Sequence, residues 1–310
     1  MKTVTGWNPS AKGKALDSSH REKMIGYLYT SSAYFLWGVL GLYWRALDSV
    51  SSMEILAHRI LWGFFFIFTL MLFQSTKRAA FFTLVKELRV NAKQLFYFFV
   101  ASLAISANWL IFVWAMIFDH ILEASLGLYI TPIVSMLLGV LAAGDKIRKS
   151  TLLSMLIAFS GVLVITYDYG RIPWISMALA LTSGVYSLAK THIKADALVG
   201  MCVETLLVTP IALLLFMFLH QTSSVHFGSA FPVTFLLIFG GILTVLPLLW
   251  FAEGLKRIPL ATIGFFQYIT PTITFLFGIF LFKSTITLLH WIAFSLIWLS
   301  IAVMLVSNRK

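Results

Sequence analysis

The sequence predicts an all-α integral membrane protein of ten transmembrane helices, arranged as two inverted repeats of five. Three observations carry that expectation. Sixty per cent of the 310 residues are hydrophobic and eleven per cent are charged, with a mean hydropathy of +0.92, outside the range of soluble domains. Apolar stretches long enough to cross a hydrocarbon core of about 30 Å recur along the chain. The tetrapeptide Tyr-Ile-Thr-Pro occurs at Tyr129–Pro132 and again at Tyr268–Pro271, inside a gapless match that also pairs Leu110 with Leu249, Phe112 with Phe251, Leu137 with Leu276 and Gly139 with Gly278.

In chain order, residues 1–23 are polar and lack the apolar core of a signal peptide, which predicts a disordered cytoplasmic tail and makes the first spanning helix the first insertion signal. The first five-helix repeat, 24–168, places spans at 25–46, 53–73, 95–117, 121–142 and 151–168, with a charged loop at 74–94. The second, 173–306, places them at 173–190, 200–219, 232–252, 259–282 and 287–306. Continuous runs of this length favour helices over barrel strands. Spans three and four correspond to eight and nine. In span five, Thr151-Leu-Leu and Ile157–Ser160 recur in span ten as Thr287-Leu-Leu and Ile292–Ser295, and Gly38, Val39 and Leu42 of span one resemble Gly184, Val185 and Leu188 of span six. Five is odd, so the second copy crosses in the opposite sense. Inverted repeats of this kind recur in secondary transporters, with the substrate near the midplane between the halves.

A net charge of +11 could suggest nucleic acid, but the basic residues lie in short segments between apolar runs and act as topology signals. With both termini in the cytoplasm, 19 of the 23 Lys and Arg residues fall inside, and only Arg45, Arg171 and Lys283 fall outside. The lone Cys202 excludes a disulfide framework and a multi-cysteine metal site. No metal spacing, phosphate loop or nucleophile triad is present, so neither cofactor nor enzymatic activity is expected.

Ionisable and polar groups inside spans then become the candidates. Glu54 and His58 share one face of span two, and Arg59 lies about 140° round from Glu54. Arg59 suits an anionic substrate group or a structural ion pair. Glu123 opens span four, either as a proton or cation site facing Arg59 or as an interfacial carboxylate at a helix N-terminus. Asn108 in span three must find hydrogen-bonding partners and is expected to face inward. Tyr129 and Tyr268 stand in the repeated tetrapeptides, Gln267 beside the second, and Tyr186 in span six; each is a candidate for substrate contact or for simple packing. Pro132 and Pro271 remove bonds to the carbonyls of Leu128 and Gln267 and predict paired kinks, with Thr131 and Thr270 available to re-satisfy backbone groups. The symmetry is chemical only in part: Glu204 stands where Glu54 stands, but Arg59 maps onto Thr209 and Gln267 onto Leu128.

Three motifs carry a resemblance. Met53-Glu54-Ile-Leu-Ala-His58-Arg59-Ile-Leu-Trp62, Leu122-Glu123-Ala-Ser125-Leu-Gly127 with Pro132, and Gly264-Phe-Phe-Gln267-Tyr268 with Pro271-Thr272 resemble the RarD-type branch of the EamA family, in the drug/metabolite transporter superfamily. The similarity extends over about 24–306. It implies an inner-membrane permease of ten helices with a small organic metabolite or drug held between two halves. Alternating access would move the solute as a monomer or homodimer in the lipid bilayer, with protons as candidate co-substrate. The alternative is a structural or assembly subunit without transport. Family members often close spans four and nine with Gly-Glu; here Gly144-Asp145 keeps the pattern conservatively and Phe282-Lys283 loses it.

Overall fold

A computed structural model describes residues 9–143, 149–222, 225–258 and 266–307. Its described helices are α1 (Pro9–Arg45), α2 (Ser52–Leu72), α3 (Ser75–Val90), α4 (Ala92–Ile117), α5 (Ile121–Ala143), α6 (Lys149–Tyr169), α7 (Trp174–Thr191), α8 (Ala197–Gln221), α9 (Phe231–Leu255), α10 (Ile269–Phe280) and α11 (Leu288–Ser307), with no strand among the described residues. Six of them, α2, α4, α5, α6, α8 and α9, are long and apolar enough to cross a membrane by length and composition, and α10 and α11 are shorter apolar helices. Gly144–Asp145 and the Gly264–Phe265 part of the span-nine motif lie outside the described residues, as do Lys146, Arg148, Arg309 and Lys310.

Three segments differ from expectation. Helix α1 begins at Pro9, so residues 9–23 of the expected disordered tail are helical. The expected loop 74–94 carries α3. Its apolar residues Phe81, Leu84 and Leu88 recur at helical spacing and are buried against α2, α4 and α8, while Lys77, Lys86 and Arg89 keep the other side polar. The third difference concerns Pro271. Gln267 and Tyr268 form a turn, Tyr268 caps α10, and the first helical bond runs from Thr272 N–H to the Tyr268 carbonyl at 3.2 Å. Pro271 therefore sits in the first turn, where its missing N–H costs nothing. Pro132, by contrast, lies inside a continuous α5, and the two prolines are not a matched pair of mid-helix kinks. Pro210 and Pro247 also lie within helices, inside the spans expected at 200–219 and 232–252.

The helices pack α5 on α7, α6 on α11, α4 on α7, α2 on α8 and α9, α1 on α9 and α10, and α5 on α10. Between apolar helices in lipid, close van der Waals approach and interhelical hydrogen bonds replace the hydrophobic drive. The α6–α11 pair has both: Ala158, Ile165, Ala293, Phe294 and Ile297 are buried together, and Ser300 Oγ donates to the Ser154 carbonyl at 2.7 Å. The helix ends near residues 45–52, 117–121, 174–179 and 231–237 are joined by a second apolar cluster that includes Trp44, Leu47, Val113, Met116, Ile121, Ile175 and Leu237. This seals one end of the bundle.

Two glycines set the α5–α7 approach. A methyl group on Gly127 would stand 2.8 Å from Ser176 Cα and 2.9 Å from its carbonyl oxygen; one on Gly184 would meet Leu138 Cδ1 at 2.8 Å and Val134 Cγ1 at 3.0 Å. Backbone cannot yield as side chains can. Gly127→Ala is therefore expected to cost about 1–3 kcal/mol and Gly184→Ala less, as read from thermal unfolding in detergent. Equal melting points for the two variants would contradict this packing.

Candidate functional site

A cavity of about 930 Å³ lies between the helices, within the range of small-molecule sites. Gln74, Lys77, Asp196, Glu253 and Lys256 line one end and Trp44, Arg59 and Trp109 line it further in. It thus opens at the end opposite the apolar seal. Phe112 and Phe251, Leu128 and Gln267, Thr131 and Thr270, and Pro132 and Pro271 all line it.

Arg59 is 6% exposed. Its guanidinium carbon lies 4.5 Å from the ring centres of both Trp44 and Trp109, and Nε donates to Thr244 Oγ1 at 3.0 Å. Thr244 in turn donates to the Gly240 carbonyl, which aims its lone pair at Arg59. Nη1 is buried without a hydrogen-bond partner among the described residues, and no carboxylate among them pairs with Arg59. Nearer the mouth, Lys190 Nζ donates to Glu204 Oε1 at 2.6 Å and the Tyr186 hydroxyl donates to Oε2 at 3.3 Å. Asn108 Nδ2 donates to the Leu179 carbonyl at 3.0 Å and lies 2.9 Å from both Thr182 Oγ1 and Ser183 Oγ, tying α4 to α7 in the cavity wall. At the rim, Lys77 pairs with Asp196 at 2.5 Å, and Lys256 and Arg257 pair with Glu253 at 2.5 and 2.6 Å. Burial pushes the Asp196 carboxyl up, yet the Lys77 ammonium and the N–H groups of Leu198 and Val199 hold it below the usual carboxylate range.

Other expected site residues lie outside the cavity lining. Glu54 is fully buried and accepts from His226 N–H at 2.8 Å and Phe227 N–H at 2.9 Å. His58 lies 4.0 Å from it on the shared face, stacked on Phe227, and accepts at Nδ1 from Trp62 Nε1. Together they clamp the α8–α9 connection. Glu123 does not face Arg59: it accepts from Arg171 Nη2 and from Ile175 N–H, both at 3.0 Å, so it caps α7 across the seal. Tyr129 is buried, its hydroxyl 2.8 Å from Thr272 Oγ1, and stacks on Tyr268, whose own hydroxyl has no partner among the described residues. Of the expected site residues, Arg59, Asn108, Tyr186, Gln267, Pro132 and Pro271 are the ones that border the cavity. Thr131 back-bonds to the Gly127 carbonyl, whereas Thr270 bonds across to the Tyr34 carbonyl of α1.

Residues 24–167 match the EamA-like transporter family. The chain is 38% identical over 295 residues to an uncharacterized transporter of Bacillus subtilis (strain 168), YojE, covering 94% of this chain and 97% of that one. It is 35% identical over 279 residues to protein RarD of Escherichia coli (strain K12), covering 90% and 93%. The chain is a RarD-type member of the EamA family. It is thus a multi-pass membrane transporter, and the family implies a small-molecule substrate and a lipid environment. One solved crystal structure superposes with a TM-score of 0.55 at 16% identity, over 90% of this chain and 96% of that one, which shows a shared fold alone.

Within this EamA member, sequence reasoning passed over Thr244, Trp44, Lys190 and the placement of Glu204. Thr244 and Trp44 leave no signal in an apolar run. Lys190 and Glu204 are both polar, at the facing ends of consecutive spans, and that proximity could have paired them. Glu54 takes its role from two backbone N–H groups that lack another acceptor among the described residues. Glu54→Ala is expected to lower stability by about 2–3 kcal/mol in thermal unfolding while leaving ligand binding in the cavity intact. Unchanged melting would show that the clamp carries no energy.

Proposed function

We propose that the protein is a secondary transporter that moves a small organic metabolite or drug across the inner membrane by alternating access. Ten spans form two inverted five-helix halves, with both termini in the cytoplasm and the cavity open to that side. The observation that carries this assignment is a cavity bordered by both halves, open at one end and sealed at the other. Exchanging α1 with α7, α2 with α8, α4 with α9, α5 with α10 and α6 with α11, with α3 left aside, turns α5–α7 into α1–α10, α4–α7 into α1–α9 and α2–α9 into α4–α8, which also touch, and returns α2–α8, α5–α10 and α6–α11 unchanged. Gly38 against Ile273 and Gly184 against Val134 are one such pair of contacts. A turn at Gln267–Tyr268 beside the cavity also fits the interrupted helices around which carriers bind. Reconstituted protein is expected to exchange solute across a vesicle bilayer, the solute first found by comparing metabolites released by cells lacking and overexpressing it. Well-folded protein that moves no metabolite pool would favour a structural or assembly subunit instead.

Movement without protons is the second form of this function. Glu54, His58 and Glu123 do not line the cavity, so coupling falls to Glu204, the buried carboxylate of its lining, rather than to Asp196 and Glu253 at the exposed rim. In the coupled form, an imposed pH gradient accelerates flux, and Glu204→Gln abolishes that acceleration while solute exchange persists. Wild-type flux indifferent to the gradient leaves the facilitated form.

A further inference from the structure

Every charged side chain lining the cavity, except one, has its countercharge beside it in the wall. Lys77 pairs with Asp196, Lys190 with Glu204, and Lys256 with Glu253; Arg59 has no such partner among the described residues. The indoles of Trp44 and Trp109 each lie with the ring centre 4.5 Å from its central carbon, a contact in which a cation is held by ring quadrupoles but no hydrogen bond is made. Thr244 takes Nε in the plane of the group. What remains is the rest of that edge, where Nη1 is buried and unpartnered. A guanidinium edge is shaped for a planar oxyanion.

We infer that this cavity takes organic monocarboxylates, the carboxylate seated against the edge of Arg59 and an apolar or aromatic body against rings such as Trp37, Phe112 and Phe251. The chemistry follows from the Arg59 surroundings, while its use in transport rests on the function proposed above. One unbalanced positive charge calls for one negative charge. A phosphate monoester, carrying about −1.5 to −2 near neutrality, would leave excess negative charge in an apolar wall. An ammonium group on the same solute would meet no unpaired carboxylate, so simple acids are preferred to amino acids.

The test uses full-length protein in lipid nanodiscs and its tryptophan fluorescence, because two tryptophans bracket the anchor. The probes share one body: 3-phenylpropanoate, 3-phenylpropanamide, 3-phenylpropylamine, phenylalanine and 2-phenylethyl phosphate. The propanoate is expected to bind saturably and at least about tenfold more tightly than the others, the scale of one hydrogen bond to a charged group. Arg59→Gln should erase that preference, Arg59→Lys keep part of it, and Thr244→Val weaken it. Equal binding of acid and amide, tighter binding of the amine or phosphate, a preference that survives in Arg59→Gln, or no saturable signal from any probe would overturn the inference. Size-exclusion profiles report whether each variant folds; if Arg59→Gln does not, the wild-type ranking and Arg59→Lys decide. Carboxylate binding without flux in vesicles would remove the transporter function and keep this site. Flux of neutral or cationic solutes with no carboxylate preference would do the reverse.

Discussion

A guanidinium buried with no countercharge among the described residues is the interaction on which the rest of this structure depends. Taking an ion out of water costs several kcal/mol even after a protein relaxes around it. Two desolvated cation–π contacts return about 2 kcal/mol each, and the bond to Thr244 about another 1.5–3. These fixed groups offset much of the penalty for Arg59 and fix its plane. They leave Nη1 unsatisfied, at a cost of about 1–3 kcal/mol, and water or a solute in the cavity is the remaining source of compensation. Cavity and cation therefore require each other.

The remaining charges divide by end. At the sealed end they make structural bonds across helix termini: Glu54 to the backbone at His226 and Phe227, Glu123 to Arg171 and Ile175, and Arg45 to Asp119 at 2.9 Å and to the Met116 and Ile117 carbonyls. Each crosses between neighbouring helices, so opening this end requires breaking several charge-assisted bonds together. At the mouth, the pairs Lys77–Asp196 and Glu253–Lys256 are half exposed, and such pairs are worth little. The asymmetry in bonding matches the asymmetry in shape.

Six of the expected spans were legible, those of α2, α4, α5, α6, α8 and α9, because hydrocarbon imposes a length and an apolarity that few other environments demand. Arg59 was legible as a group that must have a purpose, and the 140° between it and Glu54 correctly sends them to different surroundings. Partners were not legible. Glu54, Glu123 and Glu204 each stand near a helix terminus in an apolar sequence, yet the first meets a connection, the second another helix's N-terminus and the third a lysine in the cavity wall. Periodicity gives the face of a helix and leaves open what lies across from it. Helix α3 could have been read, since Phe81, Leu84 and Leu88 keep helical spacing within a charged segment.

The duplicated tetrapeptides show how far shared ancestry of sequence constrains local structure. Thr131-Pro132 and Thr270-Pro271 both reach the cavity, yet α5 continues through its proline and α10 starts just before its own. The difference lies in what precedes each. Leu128 is apolar and contributes only surface, whereas Gln267 occupies the matching place in a turn, with a carbonyl that Pro271 cannot bond. Likewise Thr209, matching Arg59, turns back on the Thr205 carbonyl at 2.8 Å and contributes no charge. Gln267 and Arg59 thus line the cavity with no like group at the matching place in the other half. An amphipathic solute bound there would be oriented as well as held.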